Sequence, residues 1–197
     1  MYPFCSGNSQ SFVRFCPPEV LKMRAKSWVT GLVMSFVAAG TGWAAEVNVP
    51  PGVDTLNAAI AAATNGDTLI LETGTYSCSD AVNNPFLVNK SLTIRANTNG
   101  ADAMISCAFT IAGPGISVVV QGLDFSTNIN VDQAADVKIL QNSLFNSADI
   151  HVTDYKTTEG DGSLTVVGNY LGPGGLIAEI YSNDAYIAGN LMDQGRA

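Results

Sequence analysis

His151 is the single histidine in the 197 residues of the chain, and an imidazole beside a carboxylate can take and return a proton near neutral pH. Glu179 is the carboxylate that would sit beside it if the chain repeats, so the two form the candidate catalytic acid–base pair. Asp132, Asp149 and Asp154 flank the same segments, and Ca²⁺ is the cation that such oxygen donors would hold. Thr110, Asn130, Tyr155 and Lys156 supply candidate substrate contacts, the last two from the long loop between Asp154 and Ser163. A plainer account covers the same residues: outward positions on any sheet are polar, and loops take Asp for turns. Other chemistries have no foothold. Downstream of residue 44 there is no Gly-x-Ser-x-Gly elbow, no phosphate-binding loop and no cysteine–histidine zinc spacing. Gly172-Pro173-Gly174-Gly175 is turn chemistry, and it lacks the lysine of a phosphate cradle.

These residues can meet only if the fold is periodic, and the sequence is. Val137 to Leu144 recurs as Leu164 to Leu171 and, more loosely, as Ala185 to Met192. Each copy sets an aliphatic residue, two spacers, an asparagine, one spacer and an apolar residue. Taking Leu71, Ile94, Val120, Ile139, Val166 and Ile187 as equivalent gives spacings of 23, 26, 19, 27 and 21 residues, the length of one coil of a solenoid with three short strands per turn. A sandwich of hairpins is the alternative. It accounts for short strands, but not for an asparagine at a fixed offset in three units. In a stacked solenoid Asn142, Asn169 and Asn190 would lie one above another as a structural ladder, each amide both donating and accepting.

Ahead of the repeats, Val47 to Pro51 is extended. Asp54 would cap a helix to Ala63 in which Leu56, Ala59, Ile60 and Ala63 share one face, and Asn65-Gly66 ends it. So short a helix would be marginal alone, and it makes sense as a lid on the open end of the solenoid. Further upstream, the basic Met23 to Lys26, the apolar run Trp28 to Ala39 and the small residues up to Ala45 have the layout of a secretory signal peptide, with cleavage after Ala44. A membrane anchor is the alternative, but the run is short of the ~20 residues a span needs. Residues 1–22 would then be a non-native upstream extension, 23–44 the signal, and 45–197 the secreted or periplasmic domain.

That domain carries 5 basic and 16 acidic residues, a net charge of −11, which disfavours a nucleic-acid partner. Its two cysteines, Cys78 and Cys107, each follow by two residues an apolar residue, Tyr76 and Ile105, at the same point of successive repeats. Their backbones would be one strand spacing apart, about 4.8 Å, which a disulfide can span. An oxidising compartment favours the bond; two stacked buried thiols are the alternative.

Gly66 to Tyr76, Lys90 to Arg95 and the Ile-x-x-Asn-x-Leu units together resemble the opening of proteins of the pectin lyase-like superfamily. The likeness runs from Val47 to the C-terminus. It implies an all-β, right-handed parallel β-helix with an N-terminal capping α-helix. That superfamily includes polysaccharide lyases, glycoside hydrolases, epimerases, phage tailspikes and non-catalytic members, so fold alone leaves function open.

The resemblance also implies a ligand face, the outside of the sheet made by the first strand of each coil: Phe86 to Val88, Phe109 to Ile111, Ile129 to Val131, Ile150 to Val152 and Ala178 to Ile180. Alternation then places Thr110, Asn130, His151 and Glu179 in one outward column. The expected partner is a polysaccharide, bound or cleaved by a lyase or hydrolase; a surface adhesion module or a structural segment of a larger exported protein is the alternative. The chain departs from the superfamily's enzymes in having no close Asp pair like that of its polygalacturonases and no basic cluster like that of its lyases. Asp193 to Ala197 form no closing cap, so the domain is expected to be C-terminally incomplete, with a terminal coil able to self-associate.

Overall fold

In the computed structural model, residues 44–192 are described apart from 81–83, 99–101, 135, 147, 154–162, 174 and 179–183. The upstream extension and all but the last residue of the expected signal peptide lie outside the described residues. The rest is a parallel β-solenoid whose coils run through three sheets in turn. Sheet I holds Phe86–Val88, Phe109–Ala112, Ile129–Asp132, Asp149–Thr153 and Gly175–Ala178. Sheet II has seven strands, from Glu46–Val49 and Thr68–Leu71 through Ser117–Gln121, Asp136–Leu140 and Ser163–Val167 to Asp184–Ala188. Sheet III, also of seven, is built from pieces as short as Asp124–Phe125, Ser143–Leu144 and Tyr170–Leu171.

Strands this short hold because like residues stack on like. Phe86, Phe109, Ile129 and Ile150 are in register through sheet I, and Tyr76, Ile105, Phe125, Leu144 and Leu171 through sheet III. All are buried. Burying each such side chain contributes about 1.5–3 kcal/mol, and Phe109 and Phe125 add an edge-to-face contact, ring centroids 5.6 Å apart. Sheet II stacks Leu69, Ile94, Val120, Ile139, Val166 and Ile187. Leu69, rather than Leu71, is therefore the partner of Ile94. Both leucines are fully buried, so alternation alone does not distinguish registers that differ by two residues. At the far end Ile187 and Met192 occupy the same inward columns yet are 43% and 48% exposed, with no further strand paired beyond them among the described residues.

The helix runs Thr55–Ala62 and buries Leu56 and Ile60. Asp54 does not cap it through its side chain; it takes a left-handed conformation, φ 58°, and Oδ1 instead accepts the Ser79 N–H and the Asn84 amide. That ties the helix start to a neighbouring loop. Lys90 closes the other end, its Nζ donating to the carbonyls of Ile60, Ala61 and Ala63 at 3.0, 2.9 and 2.8 Å, where a cation suits the helix dipole. Cys78 and Cys107 are joined by a disulfide with Cα atoms 5.8 Å apart, clipping adjacent coils just beyond the Tyr76–Ile105 rung.

Between sheets II and III the chain turns through a single left-handed residue: Gly122, Gln141, Gly168 or Gly189, with φ between 55° and 69°. Three of the four are glycine, which adopts this region without a Cβ penalty. The residue that follows is Leu123, Asn142, Asn169 or Asn190. Asn142 Nδ2 donates to Asn169 Oδ1 at 3.1 Å and Asn169 Nδ2 to Asn190 Oδ1 at 2.9 Å. Each Oδ1 also accepts a backbone N–H from the coil before, from Leu123, Asn142 and Asn169 in turn. Each amide further donates to a carbonyl of that coil, on Val120, Ile139 and Val166.

Candidate functional site

On the outside of sheet I, one residue per coil faces solvent along a single line: Leu87, Thr110, Asn130 and His151 are in register rung by rung. Thr110, Asn130 and His151 are half-buried, and none has a hydrogen-bond partner among the described residues. Their donors and acceptors are thus spread along a straight track at the rung spacing of about 4.8 Å.

The next rung differs from expectation. His151 is paired with Ile177, and the strand is Gly175–Ala178, not Ala178 to Ile180. This register, shifted by two residues, pairs Leu176 with Ile150 and Ala178 with Val152, aliphatic with aliphatic. Glu179 comes two positions after Ile177 and lies outside the described residues, as do Asp154, Tyr155 and Lys156.

Asp132 and Asp149 are not brought together. Asp132 pairs with Thr153, at the opposite end of the strand that begins with Asp149; four residues of strand separate them by roughly 13 Å, too far for one cation to bridge. Among the described residues there is no group of three or more His, Cys, Asp or Glu placed to hold a metal ion. Asp149 Oδ1 is buried without a hydrogen-bond partner, while its backbone N–H donates to Asn128 Oδ1.

Two further clusters were not foreseen. On sheet III, Asp124 sits between Met104 and Ser143 in the outward column. Burial pushes its carboxyl above the usual carboxylate range and the nearby charge of Asp102 pushes the same way, against a hydrogen bond with Ser143. These two acids are far apart in sequence, and only the rung register reveals the pair. On sheet II, Ser117, Asp136 and Ser163 form a second such column. Asp136 accepts the Ser163 hydroxyl at 2.7 Å on Oδ1 and the Ser117 hydroxyl at 3.1 Å on Oδ2. With Lys138 they line a shallow cleft of about 190 Å³. The sequence signal was there, a Ser or Asp one residue before the first inward aliphatic of the strands Ser117–Gln121, Asp136–Leu140 and Ser163–Val167, but it reads as ordinary surface polarity until the strands are stacked.

No protein-family model matches the chain, and no curated protein matches it. Two solved structures do, the PL6 family alginate lyase AlyGC and an arginine-to-alanine mutant of it. Each is 14% identical, with TM-scores of 0.42 and 0.40. The match covers 78% of this chain and 40% of each lyase chain, so the chain spans about two fifths of their length. Likeness at this level carries no functional argument. No helix among the described residues is long and apolar enough to cross a membrane.

Proposed function

We propose that this is a secreted or periplasmic carbohydrate-active protein that holds an extended acidic polysaccharide along the outer face of sheet I. The observation that supports it is the column Thr110, Asn130, His151, whose side chains keep their hydrogen-bonding capacity free at one residue per rung. A polymer with a regular sugar repeat suits a regular track. Thr110 and Asn130 would take sugar hydroxyls, and Tyr155 and Lys156 would add further contacts. The net charge of −11 from residue 45 onward opposes an anionic polymer, so Ca²⁺ bridging carboxylates of chain and ligand would strengthen binding.

Cleavage is the sharper form of this reading, with His151 and Glu179 as acid and base of a lyase or hydrolase. The pairing of His151 with Ile177 favours the second form, a non-catalytic binding module. The test is incubation with a panel of uronate polymers, with and without Ca²⁺, following both binding and the absorbance of unsaturated products. Cleavage that is lost in His151→Ala supports the enzyme; binding without cleavage supports the module. Neither binding nor cleavage across the panel overturns both.

A further inference from the structure

Of the cations among the described residues, Lys90 is spent on the helix carbonyls and Arg95 on Glu46, at 3.5 Å. Lys138 is exposed and has no such partner. It projects from the outer face of sheet II, two residues beyond Asp136, whose carboxylate is already held in place by Ser117 and Ser163. Along its own column Lys138 is followed by Thr165 and then Tyr186, and the Tyr186 side chain is 64% exposed. Two rungs, about 9.6 Å, separate the Lys138 and Tyr186 backbones.

A fixed carboxylate with unused lone pairs accepts sugar hydroxyls, an ammonium takes a sugar carboxylate as a charge-assisted bond, and an open tyrosine face offers an apolar platform for the C–H side of a sugar ring. In this acidic protein an unpartnered lysine is the local feature that selects an anionic ligand.

We infer that the outer face of sheet II is a second glycan-binding strip, distinct from the sheet I track, in which Lys138 holds a uronate carboxylate, the Asp136 cleft takes hydroxyls of that residue, and Tyr186 stacks on a ring farther along the same chain. The strip shares no residue with sheet I, so a long polymer could be held at two faces of one molecule, with avidity as the gain.

Calorimetric titration of the whole chain with hexagalacturonate, and with cellohexaose as the uncharged counterpart, tests this. Lys138→Gln is expected to weaken hexagalacturonate binding about tenfold, the scale of one charge-assisted contact, and to leave cellohexaose unaffected. Tyr186→Ala is expected to weaken both. All these side chains are exposed, and an unchanged thermal melt shows that each variant folds. If hexagalacturonate does not bind, or if Lys138→Gln and Tyr186→Ala bind it as the unaltered chain does, the strip is refuted. His151→Ala separates the two faces: a loss confined to it upholds sheet I and removes sheet II, and a loss confined to the sheet II variants does the reverse.

Discussion

Asn169 and Asn130 carry the same amide on the same solenoid and come to opposite ends. Asn169 is 1% exposed, and its side chain makes bonds to Asn142, Asn190 and Ile139. Asn130 faces outward with no partner among the described residues. The corner column spends its hydrogen bonds on itself and holds register; the face column keeps its bonds for whatever arrives. In a repeat fold, what a polar residue does therefore depends on whether its stacked neighbours already satisfy it.

The largest effect should come from breaking the satisfied column in its middle. Asn169→Ala breaks the links to Asn142 and Asn190 and leaves the Asn142 N–H and one of its two amide hydrogens without an acceptor, so stability should fall by about 3 kcal/mol, read from the midpoint of denaturant unfolding. A loss below about 1 kcal/mol, the scale of one ordinary hydrogen bond, would place the corner amides on a par with the face and dissolve the comparison.

A smaller effect, read in pH, sharpens it. Asp67 is also buried and satisfied: Oδ1 accepts the Ala45 N–H, and Oδ2 accepts the Thr64 N–H and hydroxyl. The backbone bond from Thr64, then that from Ala45, hold its carboxyl below the usual range. A carboxyl depressed on folding contributes its stability above the unfolded pKa and loses it as pH falls through the folded one. Asp67→Asn should therefore be less stable than the unaltered chain at neutral pH, with the gap closing as the solution is acidified through the carboxylate range. A gap independent of pH would mean that the carboxylate's charge adds nothing to the bonds it accepts.

Why so much of this was legible follows from the period. Alternation separated inward from outward positions, the Ile-x-x-Asn-x-Leu units located the corner, and Tyr76 and Ile105 located the rung beside the two cysteines. Alternation has a period of two, however, so it excludes one-residue slips and permits two-residue ones. Alternation therefore admits Leu71 as readily as Leu69 opposite Ile94. Around Ile177 the slip is again one of two residues: Leu176, Ala178 and Ile180 are alternate and apolar, so alternation fits Leu176 to Ala178 and Ala178 to Ile180 equally well. The Asp124–Asp102 pair and the Asp136 cleft were hidden for another reason. Each assembles across coils of unequal length, and no spacing along the chain marks it.

The smallest expected effect is the most informative about function. If Thr110 and Asn130 are spare, then Thr110→Ala and Asn130→Ala each remove a side chain that the fold does not use, and unfolding free energies should stay within about 0.5 kcal/mol of the unaltered chain, as for surface changes remote from any bonded network. The same substitutions should weaken polysaccharide binding along sheet I, measured on the same samples. Loss of binding without loss of stability is the signature of a face kept for a ligand. Loss of stability in both would show that the outward column, like the corner, is bonded to itself, and the track would cease to be a site.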